Sequence, residues 1–315
     1  MAITYALTET TVQDFPALRL TSPEELAATY VPGAGMICCS LTHRGDELLG
    51  QRQGLKHYAA TGSTMGIPLL HPWANRLSRL GYEIKGTRVE FPPDSPLLHF
   101  DANKLPMHGL VGRCPDWQVM ERAADQDAAR LTTRLDLSKR PDFLALFPFP
   151  HFLELKIVLQ ETRLTVSTTV LPAADAAVPI AFGYHPYFTL PGVPRQAWEI
   201  ILPERRHLIL DKKGLPTGET EPSPAYAGAL GSRTFDDLYE IAPKPKFRLK
   251  GPHRTVTVSF GEGYRFAQIY APAKDEVICF EPMTAPINPF DSGNFVWAQP
   301  GSPFTATYEI LVEAH

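Results

Sequence analysis

The chain has 315 residues, 44% hydrophobic and 20% charged, which excludes a disordered or fibrous protein. Its net charge of −4 comes from scattered ionic residues with no concentrated basic face, so no nucleic-acid partner is expected. No apolar stretch approaches the length of a membrane span, and Met1 to Phe15 carries no basic segment followed by an apolar run. Neither a membrane segment nor a signal peptide is expected, and the expected location is cytoplasmic.

Taken in chain order, the first signal is Ser22-Pro23-Glu24-Glu25, which reads as a helix start. The following Thr29-Tyr30-Val31-Pro32-Gly33 stops it, so at most one turn is expected. Cys38, Cys39, Cys114 and Cys279 fit neither a disulfide framework nor a paired CxxC zinc pattern, and are read as reduced thiols. Strand alternation dominates the rest. Leu153 to Leu159 places Leu and Ile on one face, with Glu154 and Lys156 on the other. Arg163 to Val170, Thr255 to Phe260, and the run Tyr308, Ile310, Val312 repeat the pattern. Period-two alternation with one apolar face marks antiparallel sheets on a core. Pro203 to Gly231 has no such pattern and reads as a long surface excursion. The expected fold class is all-β, a large antiparallel β-sandwich, with residues 1–315 forming a single domain.

The chain has no Gly-rich phosphate loop, no GxSxG elbow and no HExxH. Nucleotide-driven chemistry, serine-triad hydrolysis and zinc proteolysis are therefore not expected. What remains is polar residues set in apolar or turn contexts. Glu281 ends the apolar run Val277-Ile278-Cys279-Phe280, on the same alternating face as Val277 and Cys279. A carboxylate there is either ion-paired at a strand end or a general base with a raised pKa. His185, in Phe182-Gly183-Tyr184-His185-Pro186-Tyr187-Phe188, is either a satisfied core histidine or a group that moves protons near neutrality. His108, followed by Gly109, is a turn histidine or a ligand-orienting donor, and His71 reads as structural. Arg76 offers a planar fork for sugar hydroxyls or a carboxylate. Trp73, Trp117 and Tyr187 are either core or stacking platforms for a pyranose.

In order, these segments resemble the aldose 1-epimerase (galactose mutarotase) family. The resemblance rests on Ala74-Asn75-Arg76, His108-Gly109, His185-Pro186-Tyr187-Phe188, Pro216-Thr217-Gly218-Glu219, Phe280-Glu281-Pro282 and Pro300-Gly301, with Val31 to Gly35 similar to the family's opening strand. It implies a β-supersandwich and interconversion of the α- and β-anomers of a free aldose. It also implies Glu281 as base, His185 as acid, and substrate binding by His108 and Arg76. The chain departs from the family in having Tyr184, where galactose mutarotases often have Asn, before His-Pro-Tyr-Phe. The substrate-binding aspartate of the family falls on Asp236 or Asp237, without an alignment that chooses between them.

The implied reaction uses no cofactor or metal, because base and acid together open and reclose the hemiacetal. Its acid must start protonated and its base ionised, so activity is expected to fall at both pH extremes. The expected partner is a small sugar, with the chain a monomer or homodimer. Two rival readings keep the same site. A hexose-6-phosphate epimerase would need phosphate-binding arginines, for which Arg79 and Arg113 are candidates. A non-catalytic carbohydrate-binding protein would have no use for the Glu281–His185 pair.

Overall fold

In the computed structural model, which describes residues 4–173 and 175–315, the four alternating runs lie side by side. His151–Gln160 pairs with Arg163–Pro172, that strand with Phe304–Ala314, and that in turn with Arg254–Phe260, all antiparallel. Leu153, Leu155, Ile157 and Leu159 are buried while Lys156 between them is exposed, as side chains on alternate faces require. These strands are the middle of a nine-stranded sheet. Gln118–Ala124 and Ala129–Asp136 complete one side, and Lys246–Lys250, Glu199–Leu202 and Tyr226–Ala229 the other.

A second sheet, eight-stranded, holds the motifs. Its order is Pro216–Ser223, Arg205–Leu210, Phe235–Ile241, Phe266–Ala271, Ile278–Met283, Gly183–Tyr184, Leu69–Leu70, with Tyr187–Phe188 also paired to Ile278–Met283. A five-stranded antiparallel meander runs from Ala6 to Glu47. One apolar cluster takes in Leu20 and Leu41 of the meander, Leu155, Val258 and Ile310 of the nine-stranded sheet, and Ile269 and Phe280 of the eight-stranded sheet. Each such side chain contributes about 1.5–3 kcal/mol on burial, so the three sheets are held by the same core. The architecture is all-β, as the alternation predicts.

Two local expectations are refined. The Ser22–Glu25 helix start is unused: the segment is a hairpin turn in which Ser22 N–H donates to Leu26 O at 2.9 Å and Glu25 takes φ 62°. Leu26–Val31, buried at every position, is claimed by strand pairing on both sides. The Pro203–Gly231 excursion is corrected to strands, Arg205–Leu210, Pro216–Ser223 and Tyr226–Ala229. Its second strand is exposed along most of its length, so no apolar alternation announces it. Leu55–Thr61 forms a short helix without an evident sequence signal, burying Leu55 and Tyr58 on one face. Gly62 closes it with φ 79° and an N–H bond to Tyr58 O. Among the described residues, no helix is long and apolar enough to cross a membrane. All four cysteines are free and buried.

Candidate active site

Ile278–Met283 is buried at every position, and its alternation sends Phe280 into the core while Cys279 and Glu281 face the other way. On the adjacent strand Gln268 lies opposite Glu281 and Tyr270 opposite Cys279. On the strand beyond, Asp236 lies opposite Tyr270. Cross-strand partners share a face, so Asp236, Tyr270, Cys279, Gln268 and Glu281 line one surface. Gln268 Nε2 donates to Asp236 Oδ1 at 2.7 Å, fixing that carboxylate.

On the other flank, Gly183 pairs with Met283 and Tyr187 with Cys279, which places His185 across from Glu281. Pro186 has no N–H to continue the ladder, and His185 N–H donates instead to Pro68 O at 3.3 Å. The imidazole Nε2 then stands 3.3 Å from Glu281 Oε1 and 3.1 Å from the Tyr187 hydroxyl. Its ring stacks on Tyr187 with centroids 4.3 Å apart. The Tyr187 hydroxyl accepts an N–H from Arg52 at 3.2 Å and shares a 2.6 Å hydrogen bond with Thr64. Arg52 also donates to Thr64 O and pairs with Asp275 at 3.5 Å.

The rim comes from two linked loops. Arg76 donates to Asp101 at 3.1 Å and to Gly214 O at 3.0 Å. His108 N–H donates to Asn75 O at 2.7 Å, with both residues in left-handed backbone, φ 65° and 56°. The His-Gly motif has a steric cause: Gly109 has φ 70°, and a Cβ there would sit 2.2 Å from His71 O. Gly109→Ala is expected to lose about 3 kcal/mol or more of stability, from left-handed strain plus overpacking. Urea unfolding measures this, and an unchanged midpoint would show that the close approach does not constrain the loop.

These side chains enclose a cavity of about 200 Å³, lined by Arg52, Thr64, Asn75, Arg76, His108, His185, Asp236 and Glu281 among others. Glu281 is 2% exposed and His185 6%. Burial, then the Asp236 charge, raises the Glu281 carboxyl well above its ordinary value, with Arg76 opposing. Burial, then the Arg52 charge, pushes His185 down to about 3. Burial, then neighbouring His185 and His99, lowers His108 well below its ordinary value. Burial thus disfavours the charged form of both groups and favours a neutral imidazole beside a protonated carboxyl. Around the cavity, Asn75 Oδ1, His108 Nδ1, His185 Nδ1 and Gln268 Oε1 are buried without a protein partner. One ligand atom each from His185, Cys279 and Glu281 lies within 4.8 Å of the others.

The structure thus brings together Glu281, His185, His108, Arg76 and Asp236. Asp237, one position on, turns away to lie 3.4 Å from His207 Nε2, in a neighbouring polar cleft that also touches Arg76 and Asp236. Arg79 pairs with Asp291 at 2.9 Å and lies outside the cavity. Arg113 donates to Ala60 O and Pro96 O at 3.0 and 2.7 Å, beside a separate cavity of about 250 Å³ behind His99 and His108. That cavity is walled by apolar residues such as Leu97, Leu110 and Phe143, and holds neither Glu281 nor His185. His71, Trp73 and Trp117 are core residues; Trp73 stacks on Phe91 at 5.6 Å. Arg52, Thr64 and Gln268 are site residues that carried no sequence signal.

Residues 16–311 match the family model Aldose 1-epimerase. Among solved structures, a galactose mutarotase-like protein from Clostridium acetobutylicum superposes with a TM-score of 0.87 at 18% identity, over 99% of each chain. A Synechocystis protein gives a TM-score of 0.77 at 23% identity, over 100% of this chain and 99% of that one. A galactose 1-epimerase from Lactobacillus acidophilus gives a TM-score of 0.76 at 14% identity, over 99% of each. At such identities the superpositions speak for the fold, which is galactose mutarotase-like. With the family model spanning nearly the whole sequence, the chain belongs to the aldose 1-epimerase family.

Proposed function

We propose that the protein is a mutarotase that interconverts the α- and β-anomers of a free aldohexose. The observation carrying this reading is a nearly inaccessible carboxyl 3.3 Å from a nearly inaccessible imidazole in a monosaccharide-sized cavity. Its ~200 Å³ lies below the roughly 300–1,000 Å³ of pockets that take larger ligands. Unpartnered polar atoms at Asn75, His108 and Gln268 suit a ligand that presents hydroxyls all round.

Ring opening takes a proton from O1 and delivers one to O5; closure on the other face of C1 reverses both transfers. Glu281 is the base toward O1 and His185 the acid toward O5. The pair holds one proton whether neutral or ionised. Moving it from carboxyl to imidazole as sugar binds needs nothing from solvent. Tyr187, held by Arg52 and Thr64, fixes the imidazole plane. Asp236, His108 and Arg76 position hydroxyls, without which the reacting atoms lose their alignment. A free sugar is favoured over a 6-phosphate because the Asp236 carboxylate walls the cavity, while Arg52 and Arg76 already face Asp275 and Asp101.

Polarimetry on fresh α-D-glucose, α-D-galactose and α-D-glucose 6-phosphate tests this directly. Accelerated relaxation of a free hexose is expected. Acceleration of the phosphate alone would transfer the activity to phosphosugars, and sugar binding without acceleration would make the protein a carbohydrate binder. The pH dependence of kcat/KM should be a broad bell whose limbs belong to the pair jointly. Its acid limb should lie well below 6.5 because His185 is pushed down to about 3, and its alkaline limb well above 4.5 because Glu281 is raised. An acid limb at the ordinary imidazole value would contradict the one-proton pair.

A further inference from the structure

Beside the acid/base pair stands a third donor that the proposed reaction does not use. Cys279 precedes Glu281 by two positions on the same face, is completely buried, and packs with Tyr187 and Tyr270. Its sulfur, one His185 ring nitrogen and one Glu281 oxygen lie mutually within 4.8 Å. Nitrogen and oxygen ligands on tetrahedral zinc, with bonds of ~2.0 Å, stand ~3.3 Å apart. His185 Nε2 and Glu281 Oε1 are 3.3 Å apart. With Zn–S bonds of ~2.3 Å, the sulfur need close by no more than about 1.3 Å.

The donor set is selective. Imidazole, thiolate and carboxylate together favour zinc-class cations over magnesium or calcium, which prefer oxygen alone. Glu281 is 2% exposed, and its only side-chain partner among the described residues is His185, which leaves the carboxyl short of partners inside the cluster. The two cations facing the cluster have their own counter-charges, Arg52 in Asp275 at 3.5 Å and Arg76 in Asp101 at 3.1 Å. Tyr187 keeps its Arg52 and Thr64 hydrogen bonds when Nε2 turns to a metal.

We propose that His185, Cys279 and Glu281 form a binding site for a zinc-class divalent cation, which closes the sugar site while it is bound. A divalent ion displaces one proton from the Cys279 thiol and one from the Glu281 carboxyl and leaves the imidazole neutral. The loaded site therefore carries no net charge and two protons are released. Both proton-transfer groups are then tied up, so the ion acts as a reversible inhibitor. The inhibitory consequence rests on the mutarotase reading; the site itself does not.

The test is titration of the full chain with Co²⁺, followed by its ligand-field absorbance and the thiolate-to-cobalt charge-transfer band, with Zn²⁺ affinity obtained by competition. Wild type is expected to show both absorptions. Cys279→Ala and Cys279→Ser should lose the charge-transfer band and bind Zn²⁺ at least about tenfold more weakly; the serine variant covers any packing defect of the alanine one. Zn²⁺ should stop anomer exchange reversibly with EDTA. Each Cys279 variant, compared with its own metal-free rate, should need at least about tenfold more Zn²⁺ for the same inhibition. Absence of a charge-transfer band in wild type, or Zn²⁺ affinity unchanged in both variants, would overturn the site. A Cys279-dependent band in a protein without anomer exchange would confirm the site and remove the mutarotase reading instead.

Discussion

Glu281→Gln is expected to slow anomer exchange by about 10²–10⁴-fold, the contribution of one positioned proton-transfer group. The substitution keeps the shape and replaces a carboxyl that can take and give a proton by an amide that can do neither. Because burial favours the neutral acid at this position, the neutral amide adds no desolvation cost and the fold should persist. Sugar contacts made by Asp236, His108 and Arg76 remain, so the loss should appear in kcat with KM little changed. His185→Asn should show a loss of similar size. The double variant should lose little more than either single one, since two groups passing one proton act as a unit. Polarimetric rates on the three variants decide this. A Glu281→Gln protein with wild-type rates would remove the carboxyl from the reaction, and strictly additive losses would separate it from His185.

Glu281 and His185 are conspicuous in the sequence because each breaks a local rule, while their roles as base and acid are implied only by the ordered resemblance to the family. Glu281 places a carboxylate inside an apolar strand, and His185 sits among aromatics before a proline. Asp236 and Asp237 could not be separated, because a strand of uncertain register offers both faces; pairing of Asp236 with Tyr270 settles which one turns inward. Arg52 was illegible for another reason. It lies in the polar loop Gly50-Gln51-Arg52-Gln53-Gly54, and its partner Tyr187 is 135 positions away. Gln268 lies between apolar neighbours in a strand, and only the 2.7 Å bond to Asp236 gives it a task. For the fold, alternation revealed strands with one wet and one dry face. It missed Pro216–Ser223, which has little dry face at all. Local pattern records burial, whereas site membership depends on which strands become neighbours.

The protein is expected to lose stability steeply as pH falls from about 6 to 4, through its buried histidines. His151 Nδ1–H donates to Phe149 O at 2.6 Å, so its Nε2 accepts the Nε2–H of His71 at 2.8 Å. Both rings are then neutral, and a second proton on His151 would meet the His71 N–H head on. Burial lowers His151 to about 4 and His71 well below its ordinary value. His185 and His108 in the cavity are lowered as well. Each of these four is held below the 6.5 it recovers on unfolding, so as pH drops through 6.5 the unfolded chain takes up protons that the folded one refuses. Stability is full above that value and declines below it. Glu281 acts oppositely: its carboxyl stays protonated in the fold while the unfolded group ionises above 4.5, which offsets about one histidine. Each uncompensated proton corresponds to a slope of about 1.4 kcal/mol per pH unit, and several act together near pH 5. A typical total stability is about 5–15 kcal/mol, so unfolding between pH 5 and 4 is expected. Urea midpoints at pH 7, 6 and 5 measure the slope. His151→Gln should lower it by about one proton whatever it does to stability at pH 7, because it removes one titrating group from the unfolded chain. Midpoints unchanged between pH 7 and 5 would mean that these rings accept protons in place, and that the cavity and core admit charge more readily than their burial implies.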